Sequence, residues 1–396
     1  MDKGSKILLT KDALCSDYLP CYGNAYWKGK TPNIDELVQK GTLYTRYYTA
    51  APSSVMSYLA MGIMKFPFET NIADYHPLTE DYDGYTMYDR AREMGFTCHV
   101  IWDTFWTSSI NYGRCYGDTE FHPYPWLRQG VGPHNKHEGK LEPNVEKARE
   151  TILKIDEILK EIASRDEKIF LWFHLPHVLN GRVAYGSDID MFDEVVGLVR
   201  KYFEDDNITI SADHGNMNGK KGILGYGHHV YEPAIRIPLI TARKNGLKTC
   251  DALLCNVDKA ELLFGTSIPE REVVYSDSAY YAQPNRIIAI LKGKYKYIYH
   301  KRGGIEELYD LRWDPSEQFN LISDIFHDED RKTDYPACEL YFYDDWETLP
   351  NVRENFRKLK DKMWREEAKV PYARIQMARA KRFAKRMIRK GLSRLK

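Results

Sequence analysis

The stretch Asn207–Gly215 reads NITISADHG: a short strand-like run that ends in a carboxylate and an imidazole side by side. NITIS (Asn207–Ser211) has the composition of a buried strand. On the loop beyond it, neighbouring Asp213 and His214 can face a single point. Alone, such a pair is most simply a capped loop with a surface histidine, so the surrounding chain has to decide.

Two further stretches end in the same manner. KILLT (Lys6–Thr10) reads as a buried parallel strand with Asp12 just beyond it, and KIFLWFH (Lys168–His174) delivers His174 and then His177. Between them run helical patterns: Pro32–Lys40, with Thr31 as its cap and Asp35 and Glu36 favouring the first turn; Tyr85–Met94; Val145–Ser164, with Ile152, Ile155, Leu159 and Ile162 on one stripe; and Ile189–Phe203. TCHVIW (Thr97–Trp102) adds another strand. Alternating strands and helices predict an α/β chain whose parallel sheet is covered on both faces. Sites in such sheets gather at the carboxyl ends of strands, where Asp12, His174, His177, Asp213 and His214 all fall. Asp12 meets Asp213-His214 if its strand lies centrally.

After about Arg271 the texture changes. VVYSD, RIIAILKGKYKYIYHK and EELYDL read as short antiparallel strands with turns, one at Gly303-Gly304, and HDEDRKTD (His327–Asp334) as a loop. The expected division is a catalytic core over 1–270, a smaller C-terminal α+β subdomain over 271–335, and a helical extension over 336–396. Tyr372–Lys396 carries Lys or Arg at ten positions and no acid, while Met377, Ala380, Ala384, Met387, Ile388, Gly391 and Leu395 recur at helical spacing. Such a tail is a solvated or docked helix, or one that lies on anionic lipid. Nucleic acid is not an expected partner, since no recognition module accompanies it.

Of 396 residues, 43% are hydrophobic and 29% charged, as in globular chains, and with zero formal net charge the chain as a whole is not an obvious polyanion binder, though its charge is unevenly spread. The first apolar run, Ile7–Leu9, is far too short for a signal peptide or membrane span. Seven cysteines without CxxC spacing read as mostly buried thiols of a reducing compartment. The expected location is the cytoplasm, peripheral at a membrane if the tail binds lipid.

APSSVMSYLAMG (Ala51–Gly62) has two readings. In one, a serine caps a helix whose Met56, Leu59 and Met61 enter a core. In the other, a serine is a nucleophile at a helix N-terminus, where backbone amides steady an anion. GYGHHVYEPAIRIPLI (Gly225–Ile240) sets His228 and His229 on a loop before a strand. There they ligate metal, bind an anionic oxygen or protonate a leaving group; otherwise one is solvent-exposed and the other hydrogen-bonded in the core.

These segments resemble, in order, the sulfatase branch of the alkaline phosphatase superfamily. DALCSDYLPCYGN (Asp12–Asn24) resembles its first metal-ligand segment, KTPNIDELVQKGTLYTRYYTAAPSS (Lys30–Ser54) the approach to its nucleophile, and FLWFHLPH (Phe170–His177) its central histidine strand. SADHGNMNGKKGILGYGHHVYEPAIRIPLI is similar to its second metal segment, and KYKYIYHKRGGIEELYDLRWDPSEQFNL (Lys294–Leu321) to its C-terminal signature. The resemblance implies an alkaline-phosphatase-like, mostly parallel central sheet flanked by helices, with a smaller C-terminal antiparallel sheet. It implies Asp12, Ser54, Asp213 and His214 as metal ligands and Ser54 as nucleophile, with Ser53 the alternative register. His228 takes the place of the acid or substrate-contacting histidine, His177 is a second contact, and His174 and His229 join them in binding substrate. Carboxylates with imidazole suit one divalent ion, Zn²⁺ or Mn²⁺ ahead of Ca²⁺ or Mg²⁺, with a second ion allowed.

The chain departs from that family at three points. Sulfatases carry Cys or Ser followed by x-Pro-Ser-Arg, the signal for formylglycine; here Ser54-Val55-Met56-Ser57-Tyr58 keeps Ser57 and lacks Pro and Arg. CHVIWDTFW (Cys98–Trp106) has no lysine in the region of the sulfate-gripping lysine, and Ala13 stands where many sulfatases have a second aspartate. The resemblance then implies a metal-activated serine acting on a phosphate or sulfate ester, by hydrolysis or transfer, on a glycan or lipid-linked substrate. The alternatives are a classical-type sulfuric ester hydrolase and a degenerate protein that only binds sulfated or phosphorylated glycans.

Overall fold

The computed structural model describes residues 4–23, 30–70, 84–103, 118–124, 145–176, 185–242, 248–278, 285–323 and 349–369. His177, the loop 327–334 and the basic tail 372–396 lie outside them.

The large sheet contains β1 (Lys6–Lys11), β2 (Thr42–Tyr44), β4 (Thr97–Asp103), β5 (Thr119–Tyr124), β6 (Ile169–Leu175), β7 (Ile208–Ala212), β8 (Leu239–Thr241) and β9 (Thr249–Cys250), in the order β5-β4-β6-β1-β7-β8-β2-β9. The five strands from β5 to β7 are parallel, β8 runs antiparallel to both its neighbours, and β2 pairs parallel with β9. β1 therefore sits centrally, between β6 and β7, which is the condition for Asp12 to reach Asp213. β3 (Tyr47–Tyr48) and β10 (Leu254–Cys255) form a short parallel pair beside this sheet.

Alternation along β1 sends Ile7 and Leu9 to one face and Leu8 to the other. The first face packs on helices α1 (Pro32–Lys40), α5 (Val145–Ala163) and α6 (Tyr185–Tyr202) through Ile34, Leu37, Ile155, Leu159, Val195 and Val199. The second packs on α2 (Ser54–Ile63), α4 (Met87–Glu93) and α8 (Lys259–Phe264) through Met56, Leu59, Met87, Ala91 and Leu263. Each aliphatic side chain so buried stabilises the fold by about 1.5–3 kcal/mol.

β11 (Val273–Asp277), β12 (Ile287–Lys292), β13 (Tyr295–His300) and β14 (Ile305–Asp310) make a separate antiparallel sheet in sequence order, as the change of texture predicts. It joins the main body through Ile288, Ile290 and Tyr297, which share a core with Tyr48, Ala60 and Ala234, and with Phe356 of α9 (Leu349–Ala368). Two short helices, α3 (Pro67–Thr70) and α7 (Glu232–Ile235), complete the helical set among the described residues. No described helix is long and apolar enough to cross a membrane.

Two expected caps are corrected. Thr31 precedes α1, but its side chain makes no cap bond. Asp193 of α6 caps α1 instead, accepting from the amides of Ile34 at 2.9 Å and Asn33 at 3.3 Å. A carboxylate from a neighbouring helix thus satisfies the orphan donors of the first turn. Ser53 likewise occupies the N-cap of α2 with no side-chain cap bond. All ten residues of α2 are buried, Met56, Leu59 and Met61 among them.

Candidate active site

The carboxyl ends of β1, β6 and β7 are level, since Lys11 pairs with both Leu175 and Ala212. Asp12 and Asp213 follow directly and emerge side by side. Asp213 Oδ1 accepts from the amides of Ala13 at 2.9 Å and His214 at 2.7 Å, clamping the two loops together. Ala13 adopts φ 54°, a conformation a non-glycine residue seldom takes, within this clamp.

His214 is fully buried and lies 2.7 Å from the Gly215 carbonyl through Nδ1. A carbonyl only accepts, so Nδ1 carries the proton and Nε2 presents its lone pair. That Nε2 is 3.0 Å from Ser54 Oγ, 3.5 Å from Asp213 Oδ2 and 3.7 Å from Asp12 Oδ1. The donor atoms of Asp12, Asp213 and His214 lie within 4.8 Å of one another. Ser54 thus stands on this cluster, and neither adjacent serine is spent as a helix cap.

The donor set fits a divalent cation. Asp12 and Asp213 are buried carboxylates, and among the described residues no lysine or arginine pairs with either. Asp12 Oδ1 is buried with no hydrogen-bond partner. Burying two like charges without a counter-charge is costly, and a cation among them removes the cost.

A second layer holds the cluster. Tyr58 donates to Asp213 Oδ2 at 2.9 Å and lies 2.6 Å from His174 Nε2; Thr10 Oγ1 lies 2.9 Å from His174 Nδ1 and from Trp172 Nε1. His174 is therefore fully buried with both ring nitrogens engaged, and stands behind Asp213. Ser57 Oγ donates to the Asp213 carbonyl at 2.6 Å and accepts from Asn256 Nδ2 at 2.9 Å, which pins α2 to the end of β7.

On the loop before α7 the Tyr226 ring lies 4.4 Å from the His214 ring, tilted by 35° to it. His228 is exposed two residues farther on, while His229 is half-buried, 6.0 Å from the Tyr231 ring, with Nδ1 unpartnered. Burial and then the His228 charge hold the His229 pKa below its ordinary value. The structure therefore brings Asp12, Ser54, Asp213 and His214 together, sets His174 behind them, and leaves His228 and His229 on the adjoining loop.

Sequence reasoning missed Tyr58, Thr10, Tyr226 and Asn256. Tyr58 alone carried a signal: it occupies the position of the arginine in the sulfatase signature, and a neutral phenol there bonds the Asp213 carboxylate.

No family model matches the chain. By sequence it is 23% identical over 209 residues to the uncharacterized sulfatase YidJ of Escherichia coli K12, covering 46% of this chain and 41% of that protein. It is 30% identical over 176 residues to the choline-sulfatase of Rhizobium meliloti, covering 37% and 34%. The aligned region thus spans under half the length of each curated relative. Among solved structures, a provisionally assigned sulfatase of Bacteroides thetaiotaomicron superposes with TM-score 0.69 at 16% identity, over 92% of this chain and 93% of that one. The phosphonate monoester hydrolase of Agrobacterium radiobacter superposes with TM-score 0.61 at 14% identity, over 89% and 95%. The two sheets, their order and these likenesses agree: the chain is a homologue of sulfatases, with the fold of the alkaline-phosphatase-like superfamily.

Proposed function

We propose that the chain is a metal-dependent hydrolase or phosphotransferase of phosphate or sulfate esters with Ser54 as its nucleophile. The observation that carries this is the 3.0 Å contact of Ser54 Oγ with His214 Nε2, beside the unpartnered Asp12 Oδ1. Asp12, Ser54, Asp213 and His214 would hold one ion, Zn²⁺ or Mn²⁺ by their mixed donors. When bound, such an ion supplies Lewis-acid charge neutralisation and favours the ionised form of a serine hydroxyl.

The chain's own residues do the rest. Ser54 opens α2, so the first-turn amides beside it have no helical acceptor and suit the oxygens of a transferring group. Ser54, its hydroxyl proton released to water, bonds through Oγ to phosphorus or sulfur as the leaving oxygen departs, and exposed His228 gives that oxygen its proton. Water or an acceptor hydroxyl, passing its proton to His228, then displaces Ser54 Oγ, which takes a proton back from water. His177, when drawn to the same group, would be a second contact. Residues 1–270 form the catalytic unit in this proposal, with 271–335 a subdomain behind it. A glycan or lipid-linked ester is the substrate class, and a basic 372–396 tail would bring the enzyme to an anionic membrane from the cytoplasm.

Assay of the purified chain on aryl phosphate, phosphodiester, phosphonate and sulfate esters tests the proposal. Ser54→Ala should lose at least about 10³-fold in kcat with its fold intact; near-normal turnover would sink the assignment. The names of the curated relatives favour sulfate esters as a second reading. A peptide spanning Ser54 with the mass of formylglycine would establish that chemistry instead.

A further inference from the structure

A second set of donors meets at the far edge of the large sheet. His99 of β4 pairs in register with Glu120 of β5, and His122 follows Glu120 by two residues, on the same face. We propose that His99, Glu120 and His122 form a second divalent-cation site, of the zinc class, that ties edge strand β5 to β4.

His99 is fully buried, and its Nε2 lies 2.9 Å from Glu167 Oε1. The carboxylate accepts, so Nε2 carries the proton and Nδ1 offers its lone pair. His122 Nε2 lies 3.0 Å from that Nδ1. Glu120 places one oxygen 3.8 Å from His99 Nδ1 and the other 3.7 Å from His122 Nε2. Both separations exceed a hydrogen bond, yet all three donors approach a common point within 4.8 Å of one another. Two ligands about 2.0–2.1 Å from a tetrahedral zinc lie about 3.3 Å apart, close to this spacing.

The surroundings fit the same role. An imidazole that ligates metal commonly gives its other N–H to a carboxylate, as His99 does to Glu167. Arg165 holds both oxygens of Glu120, Nη1 on Oε2 at 2.5 Å and Nη2 on Oε1 at 2.7 Å, and each carboxylate oxygen keeps a second lone pair. Glu120 is 46% exposed, so water can complete the coordination. Two imidazoles among three donors select Zn²⁺ or Co²⁺ over Mg²⁺ or Ca²⁺. None of this depends on Ser54 or its chemistry.

The test is a Co²⁺ titration of the chelator-stripped full-length chain, followed by visible absorption, for wild type, His122→Gln and Glu120→Gln. Each variant should bind one equivalent fewer than wild type, or bind one equivalent about 30-fold or more weakly. Glu120 is half-exposed, so Glu120→Gln keeps the fold if the buried His122 variant does not. Equal Co²⁺ binding in wild type and Glu120→Gln, including none in either, overturns the site and leaves the imidazoles hydrogen-bonded to each other.

Discussion

Tyr58 donates its hydroxyl proton to Asp213 Oδ2 across 2.9 Å. That direction fixes those behind it: His174 Nε2–H donates to Tyr58, Thr10 donates to His174 Nδ1, and Trp172 Nε1–H donates to Thr10. The chain of bonds runs from an indole, which only donates, to a carboxylate, which only accepts. Each member holds the next in one orientation, so Asp213 is positioned by a chain of buried side chains.

Tyr58→Phe removes this bond and leaves His174 Nε2–H and Asp213 Oδ2 each short of a buried partner. Stability should fall by about 1–3 kcal/mol in denaturant titration, and kcat/KM by about 10–100-fold. Unchanged kcat/KM would show that Asp213 holds its place without Tyr58.

Asp12→Asn separates function from stability. Elemental analysis should find the bound metal of this centre lost, and turnover with it. In metal-stripped protein the variant should melt above wild type, because one of two buried like charges is gone. A metal-stripped variant less stable than stripped wild type would mean that Asp12 is a structural carboxylate.

Lys259 makes stability depend on pH. It is fully buried, its Nζ has no hydrogen-bond partner and lies 4.6 Å from the Tyr47 ring centroid, and burial lowers its pKa to about 7. In the unfolded chain a lysine titrates at about 10.4. Between those values the unfolded chain binds a proton that the folded chain has released. Its contribution to stability is therefore present above about pH 10 and lost as pH falls through about 7. Lys259→Met should be the more stable protein at pH 7, by about 1–3 kcal/mol, and the difference should shrink steadily toward pH 10. A difference independent of pH in chemical denaturation would refute the assignment.

Gly215 follows His214 and holds its Nδ1. A Cβ there would lie 2.0 Å from the Pro233 carbonyl oxygen, whereas one at Gly62 meets nothing nearer than Tyr88 at 3.9 Å. Gly215→Ala should displace the loop, with activity reduced at least about 100-fold and stability lowered by about 2–4 kcal/mol. Gly62→Ala, inside α2, should be neutral or stabilising by up to about 1 kcal/mol. Circular dichroism melts and initial rates of the pair check both.

Asp193→Ala strips the cap of α1, including the 2.9 Å bond from Ile34 N. Stability should drop by about 2 kcal/mol with kcat unchanged, measured by urea unfolding and steady-state rates. An equal loss of kcat would mean that α1 position feeds into the site.

Much of this molecule is legible along the chain. Runs such as KILLT, KIFLWFH and NITIS mark strands β1, β6 and β7 because a strand buried on both faces is rich in β-branched, aliphatic and aromatic residues and holds few charged ones. Residues following those runs, Asp12 and Asp213-His214, could be read as ligands because parallel strands deliver their ends to one edge. Bonds between distant residues were not legible. Nothing in PSSVMSY announces that Tyr58 meets Asp213, 155 residues on, or that Asn256 locks Ser57. The cap of α1 was misread for the same reason: Thr31 is a good local candidate, but Asp193 arrives from α6.

Local pattern thus determined the central strands β1, β4, β6 and β7, most helices, the second sheet and the identity of the ligand candidates, since periodicity and residue type are properties of neighbours in sequence; the short strands β2, β3, β5, β9 and β10 carried no such pattern. Only the tertiary structure decided which serine faces His214, that His174 meets Tyr58 and Thr10, and that His99 and His122 meet Glu120. Those outcomes depend on strand order and on level strand ends, which bring together side chains that no local rule connects.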